Sequence, residues 1–189
     1  MVSNQKHLFN LPDELTYLNC SFMSPMLKKV EEAGIHGIQL KRDPTDIGKS
    51  HFFDQSDQLR ALFSQLINAQ NPRQIALLPS VSYGLASAAR NISIESGQNI
   101  VLADKQFPSN VYIWQKIADE TGAEVRYVSS GKSKPPHGKA WNERLLEHID
   151  KNTAVAAMGH VHWADGTLFD LEAISAKVHR SGGYLIIDG

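Results

Sequence analysis

Asp188 follows the run Tyr184-Leu185-Ile186-Ile187, itself preceded by Gly182-Gly183. A glycine pair, a short apolar run and an Asp read as a buried parallel strand with a carboxylate at its C-terminal tip. In open α/β sheets that tip is where ligands bind. A buried carboxylate is costly without a partner. The cationic nitrogen of a ligand is a suitable one, and helix capping or metal binding is the plainer alternative. Three other loops hold polar and aromatic residues that do not suit a core. Pro79-Ser80-Val81-Ser82-Tyr83-Gly84 sets Ser82 at a helix start. The helix dipole and unpaired N–H groups there suit a phosphate dianion, although the loop alone also reads as a plain serine cap. Asp104-Lys105-Gln106-Phe107-Pro108-Ser109-Asn110 offers an aromatic face that can lie on a planar ring. Phe107 can equally staple the helix that Ser109 caps. His160-Val161-His162-Trp163-Ala164-Asp165-Gly166-Thr167 supplies Trp163 as a second candidate ring wall, with core packing as its alternative. His160 and His162 stand two apart, as metal ligands can, but no third ligand has a matching spacing. The pair therefore reads as ordinary hydrogen-bonded histidines, and Asp165-Gly166 as turn chemistry.

The elements that must position these residues follow from the apolar pattern. Short apolar runs at 75–78, 99–103, 124–128, 153–158 and 184–187 read as five strands. Helical patterns alternate with them at 82–91, 109–121, 141–149 and 170–180, the second closed by Thr121-Gly122. Alternation of this kind implies right-handed crossovers and an α/β fold with a mainly parallel sheet and flanking helices. All strand-to-helix loops then fall on one edge of the sheet. Residues 129–139 read as a Gly/Pro/Lys-rich surface loop. Residues 1–70 read as an N-terminal arm with helices, and 71–189 as the sheet domain. In the arm, Tyr17-Leu18-Asn19 suits a short strand or an extended stretch. Ser24-Pro25 suits a helix start, and Leu27, Val30, Gly34 and Ile38 then share a face. Leu59, Leu62, Phe63, Leu66 and Ile67 form the cleanest amphipathic pattern, on a helix over 54–68.

Composition narrows the classes. The 189 residues are 42% hydrophobic and 21% charged, as in an ordinary globular protein. A formal net charge of −1 gives no electrostatic case for nucleic acid or an anionic membrane as partner. No apolar run approaches transmembrane length, and the N-terminus has no apolar signal core. The single cysteine, Cys20, suits a reducing compartment, so a cytoplasmic location is expected. The phosphate-type loop is neither a Walker loop nor GxGxxG, which weakens a Rossmann-like nucleotide binder as the alternative.

Together, Leu78-Pro79-Ser80-Val81-Ser82-Tyr83-Gly84, Phe107-Pro108-Ser109-Asn110, His162-Trp163-Ala164-Asp165-Gly166-Thr167 and Tyr184-Leu185-Ile186-Ile187-Asp188-Gly189 resemble the large domain of fold-type I pyridoxal-phosphate enzymes. The nearest group is the class V aminotransferases, with cysteine desulfurases, kynureninases and isopenicillin N epimerase-like proteins. The resemblance runs from about Tyr17 to Gly189. It implies an incomplete large domain and pyridoxal phosphate as cofactor. Val81 by its backbone, and Ser82 also by its hydroxyl, would hold the phosphate. Phe107 would stack on the pyridine ring, and Asp188 would pair with the protonated ring nitrogen. Trp163 stands where many relatives carry an Asn for the cofactor hydroxyl, a bond that Trp cannot accept. Desulfurases usually place His at the position of Phe107, which turns the expectation from desulfuration toward a kynureninase-like arrangement. The implied substrate is a small amino acid, the implied reaction transamination or a related elimination or cleavage, and the implied parent a homodimer.

The family's Schiff-base lysine would lie beyond the strand-end Asp, past Gly189. The chain as given is therefore expected to hold no catalytic lysine and to be inactive, with a non-catalytic remnant or interaction module as the alternative. The resemblance also sets the strand from Ile75 beside strands later than Gly189. The strand from Thr153 would then present a bare edge.

Overall fold

The computed structural model describes residues 3–20, 23–131 and 138–189. Six α-helices and four strands are found among them, in two compact units, Met1–Leu77 and Leu78–Gly189.

The second unit is built on four short apolar strands: β1 (Asn99–Ala103), β2 (Glu124–Val128), β3 (Thr153–Met158) and β4 (Tyr184–Ile187). All pair in parallel, in the order β2-β1-β3-β4. Strands β1 and β3 are buried along their whole length, which is why they read as unbroken apolar runs. Their side chains alternate between two cores. Val101, Ala103, Ala156 and Met158 face one way, with Trp141, Leu145, Ile174 and Val178 from helices α5 (Gly138–His148) and α6 (Leu171–Arg180). Ile100, Leu102, Val155 and Ala157 face the other, with Ala89, Trp114 and Ala118 from α3 (Val81–Arg90) and α4 (Ser109–Thr121). Two covered faces make this a layered α/β/α unit.

Several buried polar groups near the sheet are paired. The Trp141 indole donates to Val128 O at 2.7 Å, and the Trp114 indole to Asn110 Oδ1 at 3.0 Å. At the N-terminal edge Asn99 Nδ2 donates to Asp150 Oδ1 at 2.9 Å, and Arg126 Nη1 to Asp150 Oδ2 at 2.7 Å. The Arg126 hydrogen bond, with help from Asn99, holds the Asp150 carboxyl down at about 2. A depressed carboxyl stabilises the fold above its ordinary pKa, and that share is lost as pH falls from about 4 through 2. The share is about 1 kcal/mol, because the side chain is 42% exposed and solvent screens it. Asp150→Asn should therefore flatten stability against pH across that window. Urea midpoints taken through the window check this, and an unchanged slope in the variant would contradict it.

Several expectations need correction. Residues 75–78 form no strand; Leu77 and Leu78 are exposed, and Arg60 Nε bonds Ile75 O. A four-residue apolar run becomes a strand only where a neighbour takes its N–H and C=O groups. Strand β3 has no bare edge, since it lies between β1 and β4; the edge strands of the sheet are β2 and β4. Helix α1 (Lys28–Gln39) starts three residues after Pro25, with Leu27 as its N-cap residue. Ser80, not Ser82, caps α3, and Ser109 is the first residue of α4 rather than its cap. Gly122 does end α4, in the left-handed conformation at φ 76°. Residues 17–19 belong to no strand, and Leu18 is 86% exposed. The surface loop read over 129–139 falls largely on residues 132–137, outside the described residues.

In the first unit the periodic stripes mark helices correctly but do not bury them. Val30 and Ile38 on α1 are exposed, as are Leu59, Leu62, Phe63 and Leu66 on α2 (Asp54–Leu66). Within α2 only Ser64 is buried; its hydroxyl donates to Ala69 O.

Candidate functional site

Parallel pairing sends the ends of β1, β3 and β4 to one edge, so the loops after them share that edge. Phe107 stands in the loop after β1, Trp163 in the loop after β3, and Asp188 directly after β4. Val81 and Ser82 belong to a different element, the first turn of α3.

The α3 turn has a definite donor pattern. The Ser80 hydroxyl accepts from Tyr83 N at 3.4 Å, and Gly84 N donates to Ser80 O. The cap thus satisfies Tyr83 and leaves the N–H groups of Val81 and Ser82 as the first-turn donors without an intrahelical partner. Those are the two residues named for the phosphate from sequence. Correcting the cap from Ser82 to Ser80 frees the Ser82 hydroxyl from that duty.

Phe107 and Trp163 touch edge to face, with centroids 5.9 Å apart and planes at 89°. Rings at right angles cannot both lie flat on one planar ligand. Trp163 is anchored by its indole N–H, which donates to Lys105 O at 2.7 Å. His162 is 2% exposed; Nε2 meets Asp104 O at 3.1 Å and Nδ1 meets Asp165 Oδ1 at 3.2 Å. Its ring packs on Trp141 and Phe169. His160 is exposed, and no cluster of three metal-ligating side chains occurs among the described residues. Asp165 bonds Thr167 N within a turn whose Gly166 has φ 73°.

Asp188 continues the strand ladder, its N–H donating to Met158 O at 3.0 Å. Its side chain is half-buried, and burial alone pushes the carboxyl up. Gly159 lies close beneath it: a Cβ there would come within 3.0 Å of Asp188 O.

Sequence reading missed Gln106 and Asn110. Both are buried, and Gln106 Nε2 and Asn110 Nδ2 have no hydrogen-bond partner among the described residues. The available signal was a polar residue four before Trp114 on a helix face that must be apolar.

The aminotransferase class-V family model matches residues 45–189. The chain belongs to that family. An uncharacterized aminotransferase, YcbU, of Bacillus subtilis (strain 168) is 29% identical over 135 residues, covering 71% of this chain and 34% of the relative. The cysteine desulfurase CsdA of Escherichia coli superposes with a TM-score of 0.81 at 20% identity, covering 97% of this chain and 47% of that one. A C-DES K223A mutant with glycine covalently linked to its PLP cofactor gives 0.81 at 21% identity, covering 99% and 50%. The chain thus spans about a third of the curated relative's length and about half of the two structures. Class V aminotransferases depend on pyridoxal phosphate, and the family resemblance read from the four loops holds.

Proposed function

We propose that residues 71–189 are a pyridoxal-phosphate-binding portion of a class V enzyme acting on a small amino acid, and residues 1–70 its N-terminal arm. Asp188 carries the reading. It is a half-buried carboxylate pushed up by burial, with no side-chain partner among the described residues. A protonated pyridine nitrogen is the cation that such a carboxylate lacks. The N–H groups of Val81 and Ser82 and the Ser82 hydroxyl suit the phosphate. The unpaired amide nitrogens of Gln106 and Asn110 are donors in want of acceptors, which fits an oxygen-rich ligand near Phe107. Bound pyridoxal phosphate supplies an electron sink for a carbanion at the amino acid's α-carbon. Phe107 covers the ring face and excludes water from it, and Trp163 buttresses Phe107 from the side. Asp188 keeps the ring nitrogen protonated.

Transamination, or a related elimination or cleavage, suits this set better than desulfuration, because Phe107 has no titratable group to move a proton. The reading extends to a homodimeric parent in a reducing cytoplasm. Within residues 1–189 the cofactor contacts are noncovalent, so the polypeptide is expected to be inactive alone. Its Lys105, in the Phe107 loop, is not a substitute anchor. Titration with pyridoxal phosphate should show weak, saturable binding by absorbance. Borohydride reduction followed by intact mass should leave the protein unmodified at one equivalent. A stoichiometric adduct on a single lysine would overturn the noncovalent assignment, and no saturable binding would overturn the cofactor site.

A further inference from the structure

The loop that presents Phe107 contains a strained residue. Lys105 has φ 55°, the left-handed region, without being glycine. That conformation is unfavourable for a β-carbon-bearing residue and persists only where its surroundings impose it. Here both flanking carbonyls are gripped from the loop after β3. His162 Nε2 takes Asp104 O at 3.1 Å, and Trp163 Nε1 takes Lys105 O at 2.7 Å. Asp165 Oδ1 lies 3.2 Å from Nδ1 on the other side of the His162 ring and itself accepts from Thr167 N at 3.0 Å. Trp141 and Phe169 wedge the ring at 4.8 and 6.3 Å between centroids. Phe107 follows two residues after the strained turn and packs at right angles to the Trp163 ring.

We propose that His162 is a positioning residue: with Trp163 it clamps the Asp104–Lys105 turn and thereby sets the plane of the Phe107 ring. The clamp spans residues far apart in sequence and joins the two loops into one wall. Its use in holding a planar ligand rests on the cofactor reading above. His162 touches no ligand in this account; it acts through Lys105 and Phe107.

The test uses residues 1–189 labelled with nitrogen-15. The Trp163 indole N–H reports the clamp, and the Trp114 indole, bonded to Asn110, reports global stability. His162→Phe keeps an aromatic ring between Trp141 and Phe169 but removes both nitrogens. Solvent exchange of the Trp163 indole should then quicken about tenfold, the effect of one lost hydrogen bond, with Trp114 unchanged. His162→Gln, whose amide nitrogen can stand near the position of Nε2, should restore protection. His162→Asn, which reaches only toward Asp165, should not. Unchanged Trp163 exchange in the Phe variant, or equal quickening at Trp114, would overturn the proposal. So would equal behaviour of the Gln and Asn variants, a comparison that stands even if the Phe variant does not fold. Pyridoxal phosphate affinity should follow the same order, falling about tenfold in the Asn variant and recovering in the Gln variant. If the indole order holds but the parent chain binds no pyridoxal phosphate, the cofactor reading fails and the clamp stands.

Discussion

Gly183→Ala is expected to be the most damaging single-methyl change in the sheet unit. A Cβ at Gly183 would lie 2.4 Å from Thr153 O and 2.9 Å from Ala154 O. Both are backbone atoms of the interior strand β3, so no side chain can swing away to make room. Relief requires moving β4 off β3 or bending β3 within a close-packed core. Overpacking of this kind costs about 3 kcal/mol. A domain's whole margin is about 5–15 kcal/mol. For a unit of this size that is a fall of roughly 10–20 °C in melting temperature. The neighbouring Gly182, at φ 78° with nothing within 4 Å, gives a control. Alanine there meets only backbone strain, about 1 kcal/mol. Circular-dichroism melts of the two variants decide the matter. Equal melting of Gly183→Ala and the parent would show that β4 does not pack on β3 as closely as described.

Asp188→Asn should separate stability from ligand binding. Burial raises the Asp188 carboxyl, so the folded state binds its proton more tightly than the unfolded chain does. Stability then falls as pH rises from the ordinary carboxyl range through the raised folded value. Asparagine has no such window. Without ligand, the variant should match the parent in acid and exceed it at neutral pH. Pyridoxal phosphate should bind the variant about 10- to 100-fold more weakly, the worth of a charge-assisted hydrogen bond. The nitrogen-15 shift of the bound ring should report a protonated nitrogen in the parent and a neutral one in the variant. A protonated ring nitrogen and unchanged affinity in the variant would remove Asp188 from the cofactor site. Lower stability of the variant at neutral pH without ligand would contradict the account of an unpaired carboxylate.

The two central strands, β1 and β3, were readable because burial on both faces leaves little choice of residue. Ile100 to Ala103 and Ala154 to Met158 must be apolar at every position, and the loops between must be polar. The candidate ligand residues were readable for the related reason that they break that rule at strand ends. Phe107 and Trp163 are exposed aromatics, and Asp188 is a carboxylate directly after an apolar run. Helix ends were less so. Ser80 and Ser82 both stand at the start of α3, and only the direction of the Ser80 hydroxyl toward Tyr83 N chooses between them. The run at 75–78 failed for want of a neighbour, since strand formation is a property of a pair. The stripes on α1 and α2 marked helices without marking burial, because amphipathicity states what a helix can cover, not what it meets.

The sequence by itself determined the α/β alternation, the positions of four strands and the family to which the chain belongs, because each is written in local apolar pattern and loop residues. Tertiary structure alone decided the strand order, with β2 and β4 at the edges, and the perpendicular setting of Phe107 and Trp163. It alone turned a pair of histidines into one exposed residue and one buried clamp, because His162 meets Asp104 across 58 residues of chain. No local pattern carries that contact: it exists only once parallel pairing of β1 and β3 brings their two loops to the same edge.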